Sequence, residues 1–113
     1  MDCDYEQGLD LIERGEYFAA HEALETAWRE AAPEERDFFQ GLVHVAVAWY
    51  QAGRGNRVGY ERQLAKAERR LSRYAPVHRG LDVAHALDQV HAARGQVPFA
   101  PRPRLHRTGR PAA

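Results

Sequence analysis

Between Phe38 and Tyr50 the chain reads F-F-Q-G-L-V-H-V-A-V-A-W-Y, which wound as a helix is apolar around most of its circumference. Such a helix is stable only when other elements cover it on nearly every side. The alternation Val43, Val45, Val47, Trp49 also reads as a strand, yet no second stretch offers a partner and the run is long for one. Helix is therefore the reading taken, from about Pro33 to Ala52, with Pro33 and the acids Glu34, Glu35 and Asp37 favouring its start. One polar strip remains on it: Asp37, Gln40, His44 and Gln51, interleaved with Gly41 and Ala48, which are small enough to let another backbone come close.

The remainder of the chain supplies the covers. Tyr5, Leu9 and Ile12 space a first helix from about Asp4 to Arg14, stopped by Gly15 in the left-handed conformation. A second helix runs to about Ala31. Beyond the central helix, Gly53-Arg54-Gly55-Asn56 breaks the chain, with Asn56 as an N-cap. A fourth helix to about Tyr74 buries Val58, Tyr60, Leu64, Ala67 and Leu71 and turns Arg62, Lys66, Arg69 and Arg73 outward. Pro76 restarts the chain for a fifth helix to about Arg94, ended by Gly95. Shifting by forty residues places Gly15 on Gly55, Leu24 on Leu64 and Ala27 on Ala67, a faint helical-hairpin repeat. The expected fold is all-α: a compact bundle of about five helices, built from two helical hairpins plus a C-terminal helix, in one domain over residues 1–97. Residues 98–113 combine four prolines and four arginines with no acid and are expected to form a disordered tail.

Charge divides the chain in two although the total is zero. Residues 1–40 hold twelve acids against three bases, and residues 41–113 hold thirteen bases against four acids. That asymmetry suits attraction within one chain or across a homo-oligomer, or binding of a protein partner. Phosphate contacts from helix four and the tail are conceivable, but no aromatics are interleaved to stack bases, which disfavours nucleic acid. No run is long and apolar enough for a membrane span, and the acidic opening does not suit a signal peptide, so the expected compartment is the cytoplasm. The single Cys3 has no partner for a disulfide or a thiolate metal site.

The second helix carries the chemistry. In G-E-Y-F-A-A-H-E-A-L-E-T-A-W, Tyr17, Ala20, Leu24, Ala27 and Trp28 form an apolar stripe, with His21 inside it and Glu25 on its shoulder. Four residues apart, His21 and Glu25 share a face, where a carboxylate can orient the imidazole or both can bind one divalent cation. If helices two and three are antiparallel neighbours, the strip holding His44 and Gln40 faces them, with Glu22 nearby and Trp28 as a packing wall. A metal or small-ligand pocket would then hold His21, Glu25 and His44 as donors; the alternative is a hydrogen-bonded His–Glu pair that fixes the bundle's register. His78, Asp82 and His85 form a second, weaker grouping. No nucleophile motif or phosphate-cradling loop is present.

These residues resemble the family catalogued as domain of unknown function 309, whose mark is HxxxExxW, here His21, Glu25 and Trp28. G-E-Y-F-A-A-H-E, F-F-Q-G-L and R-G-N resemble it too, over about residues 6–75. The resemblance implies a small all-helical bundle and a metal-binding motif without an established activity, and it reaches His21 and Glu25 only. Members often have Gln at the position of His44 and His at that of Gln51, so the partner on the central helix is left open. The expected function is a small helical protein with a metal- or ligand-binding pocket at this motif. Enzymatic activity is the less favoured outcome, and would be metal-assisted hydrolysis. The alternative is a non-enzymatic module for protein interaction or self-association.

Overall fold

The computed structural model describes residues 3–107. Five helices dominate: α1 (Cys3–Glu13), α2 (Tyr17–Glu30), α3 (Arg36–Gly53), α4 (Arg57–Leu71) and α5 (Val83–Ala93). Helix α3 is the centre, packed between α2 and α4, with α1 against α2 and α5 against α4. Its Phe38, Leu42, Ala46 and Ala48 are fully buried, as full apolar coverage of this helix requires. Among the described residues no helix is long and apolar enough to cross a membrane.

The forty-residue repeat has a physical basis at its glycines. After α1, the Glu16 N–H reaches Leu11 O (2.9 Å) and the Gly15 N–H reaches Ile12 O (3.0 Å), with Gly15 at φ 79°. After α3, the Asn56 N–H reaches Gln51 O (2.9 Å) and the Gly55 N–H reaches Ala52 O (3.0 Å), with Gly55 at φ 71°. Both are Schellman caps, in which a left-handed residue satisfies the last carbonyls and turns the chain back. Asn56 then caps α4, its Oδ1 accepting from the Gly59 N–H at 2.9 Å. Each hairpin also closes on a small residue. A Cβ at Gly8 would lie 2.6 Å from Leu24 Cγ, and one at Gly41 would lie 2.6 Å from Leu71 Cγ.

Three sequence expectations are corrected. The fifth helix does not start at Pro76: Val77–His78 (β1) pairs antiparallel with Leu81–Asp82 (β2), and α5 begins only at Val83. Arg79 and Gly80 form the two-residue turn with φ 49° and 78°, the backbone twist a tight hairpin needs. Asp82 starts the helix by accepting from the His85 N–H at 2.9 Å. Val58, expected in the core, is 60% exposed on the first turn of α4. In the region expected to be a disordered tail, residues 98–107 lie against the bundle as a strap, with Pro103 and Leu105 buried. Arg110 and Pro111 fall outside the described residues.

The divided charge is used within the chain. Arg70 and Arg73 reach Asp37 at 2.6 and 3.3 Å, and His78 and Arg79 reach Glu35 at 2.7 and 3.2 Å. Arg107 reaches Glu6 at 3.1 Å and Asp10 at 2.6 Å. In every case an early acid meets a later base, so the asymmetry guides the two ends of the chain onto each other.

Candidate functional site

Helix α2 is the thinnest cover of the bundle: only Ala20 and Leu24 are fully buried, while Tyr17, Ala23, Ala27 and Trp28 are half-buried. It meets α3 along the line of Val47, Tyr50 and Gln51, and there a notch of about 140 Å³ opens between them. Tyr17, Phe18, Val47 and Tyr50 form apolar walls, with His21 and Gln51 as polar members. Phe18 stands 56% exposed at the mouth, its ring 5.8 Å from His21 and 5.9 Å from Tyr50. Burial pushes the Tyr17 phenol above its ordinary range, against the opposite pull of Arg102. It therefore remains a protonated hydroxyl at neutral pH.

His21 Nε2 lies 3.3 Å from Glu25 Oε2, so the pair expected from their spacing is formed. His21 Nδ1 is buried and has no hydrogen-bond partner among the described residues. The other expected site residues lie elsewhere. Trp28 is not among the residues lining the notch, and its ring receives the Arg36 guanidinium at 5.9 Å. Glu22 is exposed, and its carbonyl accepts from the Thr26 hydroxyl at 3.2 Å. His44 turns toward α4, where its Nδ1 meets Gln63 Oε1 at 2.7 Å, and its Nε2 meets Gln40 Nε2 at 3.4 Å. Among the described residues no three His, Cys, Asp or Glu stand together so as to hold a metal ion. His21 and Glu25 thus supply two donors, and His44 does not join them as a third. The second grouping also separates: His78 binds Glu35, Asp82 caps α5, and His85 stacks on His106 with centroids 3.8 Å apart.

The bonds of His44 fit a neutral imidazole, with Nδ1–H donating to Gln63 and Nε2 accepting from Gln40. Burial, aided by the charges of Arg70, Lys66 and Arg69, holds its pKa below the ordinary 6.5, against the raising effect of the Gln63 bond. On acidification the unfolded chain takes up this proton first. The stabilisation is therefore complete above about 6.5 and is lost as pH falls through the depressed folded value. His44→Gln removes the titration while keeping an amide that can bond Gln63. Urea unfolding at pH 7.5 and pH 5 should show a smaller loss on acidification in this variant than in the wild type; equal losses would contradict the assignment.

The residues missed from the sequence are Tyr17, Phe18, Val47, Tyr50 and Gln51. Gln51 was visible in the polar strip and as the position where members of the resembled family often have His, which left the choice between it and His44 open. The profile of the family described as "Domain of unknown function (DUF309)" matches residues 5–63, a span that includes α2, α3 and the start of α4. The chain is 33% identical over 85 residues to the uncharacterized protein YpuF of Bacillus subtilis (strain 168), covering 73% of this chain and 49% of that protein. It spans about half the length of the curated relative it matches. No solved structure is a significant match to the chain.

Proposed function

The chain belongs to the DUF309 family, whose description assigns no activity, and we propose that it is a binding module taking one ring-sized group in the α2–α3 notch beside His21. The observation that carries this is the size and lining of the notch: about 140 Å³ between three aromatic rings and Val47. A cavity of roughly 150 Å³ holds one benzene-sized molecule, and apolar walls with one or two polar groups are the usual make-up of small-ligand sites. The His21–Glu25 pair adds direction. If Nε2–H is given to the carboxylate, Nδ1 is left as an acceptor, and a buried acceptor without a partner costs free energy until the imidazole turns to meet a donor in the notch. A phenol supplies the ring and the donor together. A divalent cation is poorly matched, because the pair offers two donors where a structural zinc site has four.

The probe is p-cresol, titrated into the full chain and followed by backbone amide NMR. Saturable shifts should gather at Phe18, His21, Val47, Tyr50 and Gln51. Toluene, which lacks the hydroxyl, should bind about fivefold more weakly, the equivalent of one net hydrogen bond of about 1 kcal/mol. Val47→Trp, which fills the notch from α3, should abolish the shifts while the remainder of the spectrum is kept. Shifts that never saturate, or that survive this substitution, would overturn the reading.

A further inference from the structure

Residues 98–107 are held chiefly by their backbone. Trp49 Nε1–H donates to the carbonyls of Ala100 (3.3 Å) and Pro101 (3.1 Å), and the Tyr60 hydroxyl accepts from the Ala100 N–H at 3.3 Å. The Gln89 amide brackets Arg104, accepting from its N–H at 2.7 Å and donating to its carbonyl. Glu13 accepts from the Leu105 N–H at 3.3 Å, and the Asp82 N–H on β2 donates to His106 O at 2.8 Å. Exposure then alternates: Pro103 and Leu105 are buried and the Arg107 side chain is 9% exposed on Glu6 and Asp10, while Arg102, Arg104 and His106 are exposed, Arg102 donating to Glu13 O at 3.1 Å and His106 stacking on His85. That two-residue period is the mark of an extended strand laid on a surface. Leu81 and Arg107 also form an isolated antiparallel bridge, which ties the end of the strap to β2 at one residue pair.

We propose that this surface of α1, α3, α5 and β2 is a docking groove for an extended Pro-x-Leu-x-Arg segment, and that its occupant in trans is the strap of a second copy of this chain. Charge favours that occupant: the strap carries Arg102, Arg104 and Arg107 and no acid, while α1 presents Glu6, Asp10 and Glu13. The link to the bundle is short and exposed, from Arg94 to Val97, with Val97 80% exposed and Gly95 at φ 75°. Opening this hinge lifts the strap without disturbing the helices, and each of the strap's bonds can be remade on a neighbour. Exchange of an identical element is a low-cost route to a dimer. In one copy the tether holds the local strap at an effective concentration on the order of 1 mM, so the exchanged form gains ground when the local contact is broken.

The test breaks every contact within a copy and restores it between copies. One full-length variant carries Glu6→Arg and Asp10→Arg, with its strap unchanged; the other carries Arg107→Glu, with its groove unchanged. Alone, each has a mismatched groove and strap and should run as a monomer in light scattering. Mixed at about 1 mM, the two should form a heterodimer of twice the monomer mass, seen by native mass spectrometry to hold one of each. Adding Leu105→Asp to both variants removes the buried anchor of each strap and should abolish that species. A mixture that stays monomeric overturns the proposal, and so does a heterodimer that survives Leu105→Asp.

Discussion

Phe38→Ala is expected to lower the unfolding free energy by about 3–5 kcal/mol, the range for removing a fully buried aromatic. The ring of Phe38 is 0% exposed, with centroids 5.7 Å from Tyr5, 5.4 Å from Phe39, 5.4 Å from Tyr74 and 4.7 Å from His78. Those neighbours come from α1, α3, the turn after α4 and β1, so no single element can shift to fill the space. Their hydrogen bonds hold them in place as well: Tyr5 donates to Arg79 O at 3.1 Å and Tyr74 to Glu34 O at 2.8 Å. The cavity should therefore persist and contribute its full cost. Urea unfolding checks this, with the midpoint falling at an unchanged slope. Phe18→Ala provides the contrast: 56% exposed at the notch mouth, it should change stability by less than about 0.5 kcal/mol.

The second large effect is expected at Gly41→Val, a net loss of about 1–3 kcal/mol from overpacking. Helix propensity argues the other way, since removing an interior glycine gains a few tenths of a kcal/mol or more. The contact decides the sign. A Cβ there would meet Leu71 Cγ at 2.6 Å and Cδ2 at 2.7 Å, and Leu71 is 0% exposed with no room to withdraw. Gly53→Ala, with nothing within 4 Å of its added carbon, should show no such loss. A double-mutant cycle with Leu71→Ala gives the decisive measurement. Leu71→Ala alone should cost about 2–5 kcal/mol, and the pair should cost less than the sum because the valine occupies vacated space. Strict additivity would place the strain elsewhere.

The central position of α3 and the all-helical class were legible because a helix apolar nearly all round admits one arrangement. The crowding at Gly41 was legible as a small residue in an otherwise large-residue stretch, although what comes close is the Leu71 side chain and not another backbone. The hairpin at Val77–Asp82 was not: two-residue strands leave no period to detect, and its turn places an arginine where φ is positive. The pairing of His21 with Glu25 followed from spacing on one helix. His44 stands apart from them, against Gln63 and Gln40, for a geometrical reason. A helical wheel fixes the direction in which a side chain leaves the axis, not its height along it. Gln51 shares the polar strip with His44 but lies seven residues further on, about 10 Å along the axis. That height is the one at which His21 sits, because α2 runs back along α3 with its first turns beside the last turns of its neighbour.

The clasp between Arg107 and the pair Glu6 and Asp10 joins residues about a hundred apart in the chain. The two hairpins close over short spans and can form early, whereas this contact must wait until nearly the whole chain has come together. It is then the last bond to be made and, being ionic and near the surface, among the first released as salt is added. Its loss frees the strap from α1 while Tyr5 still ties that helix to Phe38, Phe39 and Arg79, so the first step of unravelling is the peeling of the strap. Equilibrium stability thus resides in the core of the hairpins, while the clasp governs how often the edge of the molecule opens.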